Sequence, residues 1–182
     1  MTEKEYDSLR ALAALRSKLD ADASLEVMHE GGYSWRASFT FAAPAPLDEV
    51  QKIRAELSFP LPAAYEQFLL FTDGALLYHN KKNGQWGFHF YGVKELREKN
   101  AWWQQRYAES WSPSYFVFAE SLGDADLLLL DGTKPTKDSL DCRVLDGDSG
   151  YLPDEWEAAS RSFDEWLDHL ITAQGTKYWR WY

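Results

Sequence analysis

The run Asp126-Leu127-Leu128-Leu129-Leu130-Asp131 constrains the fold more than any other stretch of this chain. Four consecutive leucines between two aspartates show no alternation, so a strand here carries apolar side chains on both faces. Such a strand belongs in the interior of a sheet, and helices must cover that sheet. Helical stripes exist to do so. Leu47, Val50, Ile53 and Leu57 recur at helical spacing, and Tyr65, Phe68, Leu69 and Thr72 fall at i, i+3, i+4 and i+7. Phe163, Trp166, Leu167, Leu170 and Ile171 make a further apolar side.

The helix ends are marked as well. Ser162-Phe163-Asp164-Glu165 is a capping box, in which a hydroxyl and a carboxylate satisfy orphan N–H groups of the first turn. Pro62 fits the first position of the second stripe, where its fixed φ helps, and Gly74 fits a left-handed C-terminal residue. Thr2 with Glu5 has capping-box spacing ahead of Leu9, Leu12, Leu15 and Leu19, which predicts a first helix over residues 2–19.

Strand patterns fill the intervals. Leu25, Val27, Tyr33, Trp35, Ala37, Phe39 and Phe41 occupy odd positions, while the even ones are polar apart from Met28, with Gly31-Gly32 at the turn. That is a one-sided hairpin. A second hairpin is predicted from 75–78 and 86–91, then a helix over 93–107 and strands at 115–120, 126–130 and 143–145. No repeat or long linker divides the 182 residues. The expectation is a single α+β domain over 1–182, with a mostly antiparallel central sheet flanked by helices. Its core motifs lie at about 46–171, its first helix and hairpin at 1–45, and an aromatic tail at 172–182. The tail, Tyr178-Trp179-Arg180-Trp181-Tyr182, is too aromatic to be left in water and is expected to dock on the body.

Composition narrows the function classes. The single cysteine, Cys142, cannot form an internal disulfide, and its apolar surroundings predict a buried, inert thiol. The amino terminus has no basic start followed by an apolar run. No apolar run approaches the roughly 20 residues a membrane-crossing helix requires. A cytoplasmic protein with no membrane partner is expected. The net charge is −10, and residues 120–157 hold eleven acids against Lys134, Lys137 and Arg143. A field of that sign repels phosphate backbones and favours a basic protein, so nucleic acid is not expected as a partner.

Candidate chemistry reads as ordinary structure. Gly147-Asp148-Ser149-Gly150 looks like a serine-protease nucleophile loop, a chemistry that needs a histidine base oriented by a buried aspartate. No Ala-Ala-His-Cys-like segment precedes it and the chain is short for a double barrel, so it is read as an exposed turn. Asp146-x-Asp148-x-Gly150 with Glu157 resembles a calcium loop, yet Gly150 and Tyr151 stand where an oxygen ligand and the glycine bend are required. His29, His79, His89 and His169 form no ligand pairs. Asp124 and Asp126 point to one side of a strand start and read as a turn and rim, not as an acid–base pair. No catalytic residue, metal or cofactor is expected.

Three features occur in order: Leu61-Pro62-x-x-Tyr65-x-x-Phe68-Leu69 ending at Gly74, Leu122-Gly123-Asp124 before the leucine strand, and Ser160-x-Ser162-Phe163-x-x-Trp166-Leu167. Together they resemble the SUKH superfamily, a domain shared by fungal cell-wall assembly regulators and many bacterial immunity proteins. The resemblance implies structural roles for these residues, no general catalytic machinery, and binding of a protein partner, often a nuclease toxin. It leaves the hairpin at 25–41 and the tail outside the core motifs. The resulting expectation is an immunity protein that binds and neutralises a cognate basic toxin domain, or alternatively an intracellular scaffold of the same fold binding another protein. Asp124, Asp146, Asp148, Asp154, Glu155 and Trp156 are the candidate partner contacts, with the carboxylates steering the partner and exposed Tyr151 and Trp156 anchoring it.

Overall fold

In the computed structural model, which describes residues 6–135 and 141–181, eight strands form one sheet. Each strand pairs antiparallel with its neighbour in sequence. The order is α1 (Asp7–Ser17), β1 (Ser24–Met28), β2 (Ser34–Phe41), α2 (Leu47–Glu56), α3 (Ala63–Phe71), β3 (Ala75–His79) and β4 (Phe88–Phe90). It continues with α4 (Val93–Arg106), β5 (Tyr115–Ser121), β6 (Leu127–Pro135), β7 (Cys142–Gly147), β8 (Glu157–Ser160) and α5 (Phe163–Thr172). A 3₁₀ turn at Tyr178–Arg180 closes the chain.

The leucine run behaves as its lack of alternation requires. Leu127 to Leu130 lie in β6 between β5 and β7, and none is more than 2% exposed. Full burial stabilises each by roughly 1.5–3 kcal/mol. Above β4 and β5 the α3 and α5 stripes interlock through their rings. Tyr65 meets Phe118 at 5.6 Å, Phe68 meets Phe90 at 5.1 Å, and Trp166 meets Phe118 at 5.2 Å between centroids. Ser162 accepts the Glu165 N–H at 3.1 Å, as the capping box predicts. The first hairpin pairs Leu25 with Ala37 and Val27 with Trp35, in the alternating register.

Two details of the signature helix differ. Pro62 is the residue before the helix, with ψ 130°, rather than its first turn. Gly74 does not cap α3, which stops at Phe71. It has φ +87° and leads into β3. A Cβ there would stand 2.8 Å from Gly92 N and 2.9 Å from Phe90 O, so backbone contact with the start of α4 requires glycine. Neighbouring Asp73 accepts the Val93 N–H at 2.7 Å and caps α4 from outside. β8 has no counterpart in the sequence reading. It is four residues long, two of them alanine, and only Ala159 is buried, so it carries almost no periodic signal.

Cys142 is buried, and burial, with Asp141 and Asp131 nearby, pushes its thiol up to about 12. The tail docks through Trp179, whose ring meets Trp166 at 5.9 Å and Phe88 at 6.3 Å, whereas Trp181 remains 45% exposed. Thr2, Glu5, Lys137, Asp138 and Tyr182 lie outside the described residues. Among the described residues, no helix is long and apolar enough to cross a membrane.

Candidate functional site

The chemistry of this molecule concentrates where the β5–β6 and β7–β8 turns meet the tail. Gly123 (φ +104°) and Ala125 (φ +60°) reverse the chain between β5 and β6 and present Asp124 and Asp126 together. β7, next in the sheet, contributes Asp146, with Asp148 just past its end. Lys177 reaches Asp124 at 2.6 Å and also pairs with Asp126. Arg180 pairs with Asp146, and its Nη2 lies 2.9 Å from Asp126 and 3.1 Å from Asp148. Four carboxylates thus share two cations, leaving two negative charges in excess.

Burial and the neighbouring charges oppose each other at Asp126. Desolvation would raise the Asp126 carboxyl, whose side chain is 2% exposed. The Lys177 ammonium, the Ser149 N–H at 2.8 Å and the Arg180 charge outweigh it, and the group lies below its ordinary value. Asp146 takes the Trp179 Nε1–H on Oδ2 at 2.8 Å, while its Oδ1 is buried without a hydrogen-bond partner among the described residues. An unpaired carboxylate oxygen in a buried position is uncommon and leaves acceptor capacity unused.

A basin of about 490 Å³ opens beside this network. Asp146, Asp148, Glu155 and Glu157 line it with Tyr151 and Arg180, so four acids face one cation. Tyr151 is 57% exposed. Trp156 lines the basin too but is only 8% exposed, which corrects its reading as an exposed anchor. Its ring is held among Tyr107, Trp111 and Tyr115 at 5.6–6.3 Å, and its Nε1 donates to the Asp148 carbonyl at 3.2 Å. Trp156 positions the β7–β8 turn.

Of the six candidate contacts, Asp146, Asp148, Glu155 and Trp156 share the basin, and Asp154 is exposed near them. Asp124 lies across Lys177, on a neighbouring cavity. Other members of the acidic stretch are elsewhere. Asp131 is fully buried against Arg143 at 2.6 Å. Glu120 is held by His89, Tyr91 and Lys99, and the His89 hydrogen bond leads in pushing its carboxyl down to about 2. Sequence reasoning missed Lys177, Arg180 and Asp126 as an organised group. Their only signal was two cations three residues apart in an aromatic tail. Among the described residues, no group of three or more His, Cys, Asp or Glu is arranged to hold a metal ion.

The SMI1 / KNR4 family (SUKH-1) model matches residues 44–169, from the approach to α2 through most of α5. The chain belongs to the SMI1 / KNR4 (SUKH-1) family. Membership suggests a protein-binding role in immunity or regulation, in a family that is generally non-enzymatic. The chain is also 22% identical over 181 residues to a Bacillus subtilis (strain 168) protein titled "Uncharacterized protein YobM", covering 94% of this chain and 90% of that protein. The SUKH-1 match includes the whole acidic basin except Trp179 and Arg180. The β1–β2 hairpin and the tail with its two organising cations lie beyond its bounds.

Proposed function

We propose that this chain is a non-enzymatic immunity protein that binds and neutralises a cognate, basic toxin domain. The observation that carries the reading is the basin, where four carboxylates and one cation surround an open concavity on a SUKH-1 frame. Its charge surplus accelerates encounter with a cationic surface more than it adds raw affinity. Exposed Tyr151 at the basin and exposed Asp154 beside it supply an aromatic contact and a charge unshielded by the tail. The unpaired Asp146 oxygen adds an acceptor that a partner's N–H can satisfy.

Coprecipitation with the product of the adjacent gene tests the pairing. Stopped-flow association then tests the mechanism. Asp154→Lys with Glu155→Lys is expected to slow association about tenfold at low salt, with a smaller effect at high salt. A rate indifferent to both changes, or a partner that is acidic, overturns the reading. A basic partner with no toxic activity points instead to a regulatory scaffold.

A further inference from the structure

A second cavity, of about 180 Å³, lies on the other side of Lys177 and Arg180, walled by Trp35, Trp86, Trp181 and Phe88 and edged by Glu30 and Asp124. We propose that this cavity receives an arginine side chain from a protein partner, with the guanidinium stacked on indole and paired to Glu30. The proposal deepens the reading above, since it names the group by which a basic partner is anchored.

Three observations support this occupant. The first is openness. Trp86 and Trp181 are 48% and 45% exposed, and Tyr33, stacked on the cavity-lining His29 at 4.7 Å, is 51% exposed. With Met28, these make up half of the eight large apolar side chains most open to solvent among the described residues. Aromatic surface gathered at one mouth marks an interaction site.

The second observation is charge. Lys177 and Arg180 line the cavity with Asp124, and the ion-pair network they form with Asp124, Asp126, Asp146 and Asp148, of which only Asp124 lines the cavity itself, carries two negative charges in excess. Glu30, which accepts the Trp181 Nε1–H, adds a third. A cation over an indole face inside such a field is attracted by the ring quadrupole and by the carboxylates together. Arginine suits the site better than lysine because its flat guanidinium stacks and pairs at once.

The third observation is the way Trp86 is held. It has φ +64°, a conformation disfavoured for a bulky side chain, and is fixed by Trp86 N–H to the Leu122 carbonyl at 3.1 Å and Leu122 N–H to the Gly87 carbonyl at 2.9 Å. Gly87, at φ +99°, would place a Cβ 2.6 Å from two carbonyl oxygens, so no other residue fits behind the ring. The backbone therefore holds an indole out into solvent. The cavity is also smaller than the roughly 300–1,000 Å³ of small-molecule sites, a size suited to one side chain.

Titration of the full-length ¹⁵N-labelled chain with N-acetyl-arginine methylamide, and separately with the neutral isostere N-acetyl-citrulline methylamide, tests this. Saturable shifts of the Trp86 and Trp181 indole N–H resonances are expected with the arginine probe, with at least tenfold weaker binding of the citrulline probe. Trp86→Ala and Glu30→Gln, each folded by amide dispersion, are expected to weaken the arginine probe at least fivefold. Equal binding of citrulline, survival of the arginine response in both variants, or no saturable shift overturns the proposal. Failure of the immunity reading looks different. The arginine probe still binds, but association of the basic partner ignores Asp154 and Glu155.

Discussion

Tyr65, Phe68, Phe118, Phe163 and Trp166 are each fully buried, whereas Tyr33, Trp86 and Trp181 are about half exposed, although all eight are aromatic side chains of one chain. The first group sits on helix stripes and sheet positions that cross-pack at 5.0–6.2 Å. The second sits at a hairpin end, on a residue of positive φ, and beyond a 3₁₀ turn. The buried rings lie within the SUKH-1 match, and of the exposed ones only Trp86 does. The contrast teaches that aromatic content has two uses here. Rings placed by periodicity supply stability. Rings placed by special backbone geometry stay half exposed and stabilise little.

The contrast predicts unequal effects of mutation. Phe118→Ala, at a fully buried site, is expected to cost about 3–5 kcal/mol. In a chain of this size that lowers Tm by about 6–20 °C in a thermal melt. Trp86→Ala is expected to change stability by no more than about 0.5 kcal/mol in the same experiment. If the two cost the same, the distinction between frame and contact surface collapses.

Arg180 stands between the two cavities, since it lines both and neutralises buried Asp126 and Asp146. Arg180→Ala is expected to cost about 1–3 kcal/mol by urea denaturation, less than a fully buried pair because the guanidinium is partly wetted. Arg180→Lys should recover only part of this, because one ammonium cannot span three carboxylates in the planar geometry of a guanidinium.

Within the core, Tyr65 is fully buried and its hydroxyl has no hydrogen-bond partner among the described residues. Tyr65→Phe is therefore expected to stabilise the protein by about 1 kcal/mol or less, and a measured loss above that would show that the hydroxyl is satisfied. The His89–Glu120 pair, half-buried at the junction of β4 and β5, stands between the two regimes. Glu120 holds the His89 value above 6.5, and His89 in turn depresses Glu120 from 4.5 to about 2. The contribution of Glu120 is present above pH 4.5 and fades as pH falls toward 2. That of His89 is present below pH 6.5 and fades as pH rises through its raised value. The pair is thus fully formed between about pH 4.5 and 6.5, and contributes about 0.2–1 kcal/mol. Histidine NMR titration should show the raised value in the native chain and its return toward 6.5 in Glu120→Gln.

Much of the frame was legible because its signals are local. The four leucines, the α3 and α5 stripes and the odd-position hairpin each depend on residues within a few positions of one another. Tyr33 marks where that legibility ends. Its odd position places it on the apolar side with Trp35, but at the hairpin tip that side has no cover, and the ring stacks on His29 instead. Trp156 erred in the other direction. It follows four exposed residues out of five and reads as surface, yet Tyr107 and Trp111, 49 and 45 positions earlier, enclose it. β8 was too short and too small in its side chains to register.

Residue order alone therefore settled an α+β chain with an interior leucine strand, capped and striped helices, a buried thiol and an acid-rich segment, because periodicity, capping and charge are properties of neighbours. Folding decided which of those acids act together. Lys177 lies 51 residues from Asp126, and Arg180 lies 34 from Asp146, and they meet only because strand register brings β6 and β7 side by side under the returning tail. Register and docking are set by the sum of many packed contacts across the sheet, and no short window of sequence carries that sum.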